Sequence, residues 1–179
     1  MILPTLMIIY SMRHLEVSGS KFGKIISLLS GIDFKTGDYN DLGKGTVYIS
    51  GASNLSNLSN DGVLQTRWTE IPKNRAYHGD VLLVCKESGY GKTVICYVAE
   101  AHIARQIMAI KRTDLLDMKY IMYYLRANIA LIKKNGQGVI PGIDRKSILT
   151  MSFPLHPVAE QTQIIEKLEE LLPLCRRLN

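Results

Sequence analysis

The chain has 179 residues, 46% of them hydrophobic and 21% charged, which suits one core-forming domain plus an appendage and excludes a low-complexity or disordered chain. Its net charge of +6 is uneven: residues 1–41 carry four basic and four acidic groups, 42–146 carry fifteen and eight, and 147–179 carry three and four. The excess sits in the middle segment, a footprint expected for a polyanion partner. Three cysteines, Cys85, Cys96 and Cys175, form no C-x-x-C pair and sit near no histidine at metal-ligand spacing, so they are expected as small apolar core residues in a reducing cytoplasm, without structural zinc.

The opening "MILPTLMIIY" is apolar but too short to span a bilayer, and it lacks a basic n-region and a small-residue cleavage site. It is expected as a buried strand, with no membrane association. From "KFGKIISLLSGIDFKTGDYNDLG" follow a short apolar segment and a turn-rich stretch. "GTVYISGASNL" reads as a strand ending in a loop, and "SNLSNLSND" as a polar loop, being far below the roughly twenty-residue period of a solenoid.

"VLLVCKESGYGKT", residues 81–93, raises the question of a phosphate-binding loop. Such a loop needs a glycine five residues before its Gly-Lys pair and must open a helix. Lys86 occupies that position, and "VICYVAEA" has the β-branched, aromatic composition of a strand, so the stretch is predicted as strand, Gly-Tyr-Gly hairpin, strand. "IARQIMAIKR" continues as another apolar run.

Asp114 is placed to cap a helix through "LLDMKYIMYYLRANIALIKK", with Leu115, Met118, Met122, Leu125 and Ile129 along one face and Gly136 ending it. Pro154 and Pro157 then mark an extended approach to a last helix. There Ile164, Leu168, Leu171, Cys175 and Leu178 repeat at spacings of four and three, a coiled-coil seam that seeks either its own domain or a partner. Pro173 predicts a kink or early stop, at about 3 kcal/mol if the helix runs straight. Strands followed by helices give a mixed α+β or α/β fold, divided into a domain over residues 1–156 and a helix over 157–179.

The segment "GVIPGIDRKSILTMSFPLHPVAEQTQIIEKLEELLPLC" resembles the junction of a target recognition domain and its spacer helix in specificity subunits of type I restriction-modification systems. Gly142, Ile143, Ile148, Phe153, Pro154, Pro157, Glu160 and Gln161 carry the likeness over some forty residues. Upstream, "GDVLLVCKESGYGKT", "HIARQIMAIKR" and "YIMYYLRANIALIKKNGQG" are similar more loosely. The resemblance implies a non-catalytic subunit that reads double-stranded DNA at one half of a bipartite target. It also implies docking to methylation subunits that bring S-adenosylmethionine and restriction subunits that bring ATP and magnesium. One recognition domain and the start of one spacer helix imply a half-length form or a fragment, and a homodimer through the terminal helix.

The residues agree that binding is the function. There is no Asn- or Asp-Pro-Pro-aromatic turn for a flipped base, no G-x-G-x-x-G after a strand, and no carboxylate pair with a lysine beyond the loose set Asp80, Glu87 and Lys92. His102 near Glu100 lacks a nucleophile and is expected to be structural. The expected DNA contacts are Lys86, Tyr90 and Lys92 at the hairpin tip, Arg67, Lys73 and Arg75 before Asp80, and Lys133 and Lys134 at a helix end, with the amides of "SNLSNLSND" suited to adenine edges. The alternative is a structural module that bridges proteins through its terminal helix.

Overall fold

A computed structural model describes residues 19–55, 65–86, 89–135 and 142–176 of the chain, apart from the side chains of residues 134, 135, 175 and 176. The opening strand, the Asn-Leu-Ser stretch from residue 56 onward, Glu87 and Gly136 lie outside the described residues. In chain order the elements are β1 (Gly19–Lys21), β2 (Leu28–Ser30), β3 (Thr46–Ile49), β4 (Trp68–Thr69), β5 (Arg75–Tyr77), β6 (Val81–Val84), β7 (Thr93–Ile95), β8 (Glu100–Ile103) and β9 (Ile107–Ile110). They are followed by α1 (Met118–Asn135), α2 (Arg145–Leu149), β10 (Ser152–Pro154) and α3 (Val158–Arg176).

A strand that is apolar on both faces must be covered on both, and β6, "VLLV", is fully buried. Its alternation sends Val81 and Leu83 into a core with the helices, while Leu82 and Val84 meet Val47, Ile49, Ala101 and Ile103. Strand β9 divides the same way, Met108 and Ile110 to one side, Ile107 and Ala109 to the other. The result is three layers. Helices cover an antiparallel sheet of order β2-β9-β6-β7, whose other face packs on a mixed sheet of order β4-β3-β8-β5, where β3 and β8 run parallel. The mixed α/β class expected from the sequence is what the chain adopts.

The hairpin prediction holds: β6 and β7 pair antiparallel with Val81 opposite Ile95 and Leu83 opposite Thr93, and no helix opens after Lys92. The run after it divides into two strands of different sheets, β8 and β9, with a turn at 104–106. Helix α1 starts later than Asp114 suggests. Asp117 is the cap, accepting from the Lys119 N–H at 2.8 Å, whereas the Asp114 carboxylate is almost fully exposed and Leu115 is 71% exposed. The helix is buried more widely than one stripe, since Tyr120, Ile121, Tyr123 and Tyr124 join Met118, Met122 and Leu125 inside.

A short pair, β1 with β10, ties the beginning of the described chain to the approach of α3, with Ser20 opposite Phe153. Phe153 stacks on Phe22 at 4.6 Å and meets Tyr120 and Tyr124 edge-on. Both tyrosine hydroxyls donate to strand β10, Tyr120 to Pro154 O at 3.2 Å and Tyr124 to Ser152 O. Burial pushes the Tyr124 phenol up to about 12 and Tyr120 higher still, so both stay protonated donors. Helix α3 continues three residues past Pro173 instead of stopping there. Pro173 has no N–H to give the Glu169 carbonyl, so the helix loses one bond there, with only three helical residues beyond it.

Candidate nucleic-acid interface

The hairpin between β6 and β7 extends beyond the ladder through Val84 N–H to Lys92 O (2.9 Å) and Gly91 N–H to Val84 O (2.7 Å). Gly89 and Gly91 both adopt positive φ, +90° and +94°. Gly91 has a second constraint: a Cβ there would come within 2.6 Å of Ile129 and 2.9 Å of Lys133 Cε, so the hairpin lies directly against the C-terminal half of α1. Tyr90 is half-buried between the two cores, and the Lys133 ammonium stands 4.1 Å from its ring centroid.

Three other segments converge on this tip. Lys92 Nζ donates to Ala52 O at 3.4 Å, in the turn that follows β3. Buried Asn54 accepts from Ser50 N–H and Oγ and donates to Thr66 Oγ1 at 2.9 Å, closing the neck of the Asn-Leu-Ser segment. Exposed Lys86 bridges to Gly142, and Cys85 O accepts from the Ile143 N–H at 2.7 Å. Lys86, Lys92 and Lys133 thus gather near the hairpin tip, and among the described residues none is in an ion pair.

Arg67, Lys73 and Arg75 form a second group on the outer face of the mixed sheet. His102 of β8 lies opposite both Tyr48 of β3 and Arg75 of β5, so these side chains make one transverse row. Phe34 stacks on His102 at 3.9 Å and Tyr39 covers Tyr48, with Arg67 over Tyr39 at 4.9 Å and Lys73 over Phe34 at 5.7 Å. The arginines have acidic partners: Arg75 pairs with Glu100 at 2.9 Å and Arg67 with Asp41 at 4.0 Å. The predicted contacts therefore divide into a free basic tip, with Lys86, Tyr90, Lys92 and Lys133, and a largely neutralised outer face. The Lys134 side chain lies outside the described residues.

Of the carboxylates and histidines considered for catalysis, Asp80 and His102 are occupied structurally, and Glu87 lies outside the described residues. Buried Asp80 accepts from the Tyr77 N–H (2.8 Å) and Arg112 N–H (2.7 Å) and pairs with Lys111. His102 Nδ1 accepts from the Lys73 N–H at 3.3 Å, which leaves Nε2–H to donate to Ile32 O at 3.0 Å. Burial lowers its pKa, keeping it neutral. Burial raises Cys85, and lifts Cys96 to about 12, so neither is a nucleophile at neutral pH. Among the described residues, no helix is long and apolar enough to cross a membrane.

Sequence reasoning did not show what the forty-residue junction does. Gln161 is fully buried and joins the starts of two helices, accepting from the Asp117 N–H and donating to His156 O, each at 2.8 Å. Glu160 meets His156 Nδ1 at 3.0 Å. With Ile143, Ile148 and Phe153 in the same core, the junction is a structural joint that meets the hairpin at its start, through Gly142 and Ile143. Its signal was present as the Glu-Gln pair, whose partner Asp117 lies 44 residues away. The terminal seam is also partly committed: Ile164 and Leu168 are 5% exposed in this core, Leu171 is half-buried, and Cys175 and Leu178 fall outside the described side chains.

No protein-family model and no curated protein matches the chain. Solved structures do. A chain from a structure concerned with complex assembly and conformational transition of the type I R-M system aligns with a TM-score of 0.75 and 23% identity over 88% of this chain and 38% of that one. The HsdS subunit from Thermoanaerobacter tengcongensis gives the same score and identity over 89% and 38%, and the type I S subunit from M. genitalium gives 0.61 and 16% over 89% and 40%. The chain thus spans about 38–40% of the length of these subunits. Three layers, a hairpin set against α1 and a helix leaving from the joint make the fold of this chain that of part of a type I HsdS specificity subunit.

Proposed function

We propose that the chain is a target recognition domain of a type I specificity subunit, with the start of its spacer helix, and that it binds double-stranded DNA without catalysing a reaction. The observation that carries this reading is the convergence of Lys86, Lys92 and Lys133 with Tyr90 beside the neck of the Asn-Leu-Ser segment. Lysines neutralise phosphates, the tyrosine presents a ring edge and hydroxyl, and an amide-rich segment is suited to base edges. The fold shared with HsdS subunits supports it. In this reading the chain reads one half of a bipartite target in the cytoplasm and directs methylation and restriction subunits to it. S-adenosylmethionine, ATP and magnesium then belong to those partners.

The test is fluorescence anisotropy on random-sequence duplex across a range of salt. Replacing Lys86, Lys92 and Lys133 together by Ala should reduce the magnitude of the slope of log affinity against log salt by about two to three, since each lost phosphate contact removes about 0.9. Circular dichroism should remain that of a folded domain. An unchanged slope in the folded variant removes the tip from the interface.

A further inference from the structure

We propose that the cleft between α1, α2 and the β1–β10 pair is a second DNA-contacting site, which holds phosphates of the duplex beside the hairpin tip. This rests on the DNA reading above and adds a surface outside the sequence candidates. The cleft encloses about 720 Å³, and Lys21, Lys146, Asn128, Ser147 and Thr150 are among its walls. The donors it offers a phosphate are the two ammonium groups and the second amide N–H of Asn128, whose first goes to Tyr124 O; the Ser147 and Thr150 hydroxyls already donate to Asp144 and to Lys146 O.

Its position makes it continuous with the tip. In the same two turns of α1, Ile129 and Lys133 face Gly91 of the hairpin, while Asn128, Leu131 and Ile132 line the cleft. The two sites are thus neighbouring faces of one helix end, separated by about a helix diameter of 10 Å. A duplex carries a charge every 1.7 Å or so of its axis, so one backbone can meet both.

Asp144 also lines the cleft and opposes an anion. Its carboxylate is already engaged: Oδ1 accepts from the Ser147 N–H at 2.7 Å and Oδ2 from Ser147 Oγ at 2.9 Å. Lys21 is exposed, and its hydrogen bond, to Thr150 O at 3.3 Å, is long enough to give way to a phosphate. An acidic protein segment fits less well, because Tyr124, the aromatic residue of the cleft, is buried with its hydroxyl committed to Ser152 O and presents no exposed anchor, leaving Leu131 as the exposed apolar contact.

The experiment measures the same salt slope on random-sequence duplex of about 30 base pairs, which exceeds the footprint of one domain. The Lys21→Ala/Lys146→Ala chain should keep its melting temperature and show a slope reduced by about two. Lys21→Arg/Lys146→Arg should keep the slope, and Lys21→Gln/Lys146→Gln, which preserves more of each stem, should match the alanine variant. A slope equal to that of the unaltered chain, when the hairpin-tip variant's slope falls, overturns this inference and leaves the DNA reading standing. Absence of salt-dependent binding by the unaltered chain overturns both. Loss of binding to the methylation subunit with an unchanged DNA slope would place a protein in the cleft instead.

Discussion

His102 shows how a polar residue can be fixed inside an aromatic layer. Both ring nitrogens are used, one as acceptor from Lys73 and one as donor to Ile32, and Phe34 stacks on the ring. A proton added at Nδ1 would place a charge out of water, with the Lys73 ammonium nearby, which is why the pKa is lowered, and it would also break the first bond. Since the folded value lies below the unfolded one of about 6.5, the unfolded chain binds the proton more readily. The stability that neutral His102 contributes is therefore complete above that pH and is lost as pH falls below it. Urea midpoints should decline from pH 7 to 5. His102→Asn, whose Oδ1 can replace Nδ1 as acceptor, should be less stable at pH 8 but show a flatter decline. Equal pH slopes would mean that other groups carry the effect. That His102 is structural was legible from its lack of a catalytic neighbourhood; that it anchors the outer aromatic layer depends on Phe34, some seventy residues away.

At the scale of elements, the hairpin and α1 behave as one unit because Gly91 admits no side chain. Gly91→Ala combines a positive φ with a Cβ pressed on Ile129 and Lys133, and should cost about 2–4 kcal/mol. Gly89→Ala shares the φ but meets only the Ala52 methyl at 3.2 Å, so about 1–2 kcal/mol is expected. Thermal melts of the two variants, side by side, check the difference; equal losses would show that packing against α1 does not matter. The existence of both elements was readable from alternation and from helical spacing. The start of α1 was not, because Asp114 and Asp117 look alike in sequence. Gln161 settles it by accepting from the Asp117 N–H, placing that residue at the cap.

Across the whole molecule, the decisive fact is that α3 belongs to the core. Ile164, Ile165 and Leu168 pack with Phe22, Tyr120 and Phe153, and Glu169 meets Lys119 at 2.9 Å and the Tyr123 hydroxyl at 3.3 Å. Full burial of three such side chains stabilises by roughly 5–9 kcal/mol, against a typical domain stability of 5–15. A chain ending at Pro157 should therefore be largely unfolded by circular dichroism, or much less stable in urea. A truncated chain as stable as the full one would make residues 157–179 a separate unit. With Ile164 and Leu168 committed, a partner can use only the end of the seam, from half-buried Leu171 and exposed Leu174 onward. Self-association through so short a surface should be weak without the methylation subunits, and light scattering across concentrations measures it.

By itself, the sequence determined the mixed α/β class, the hairpin in place of a phosphate-binding loop, and the two long helices, because each follows from side-chain period and from what glycine, proline and β-branched residues permit locally. The likeness of the junction to type I specificity subunits was also legible, since it resides in the order and spacing of one continuous stretch. Tertiary structure alone decided which lysines stand free at a common end and which cations are neutralised. It also decided that Ile164, Ile165 and Leu168 of the helix after Pro157 face their own core. Those outcomes depend on pairs such as Lys92 with Ala52, Arg75 with Glu100 and Gln161 with Asp117, whose members are brought together only when the layers pack.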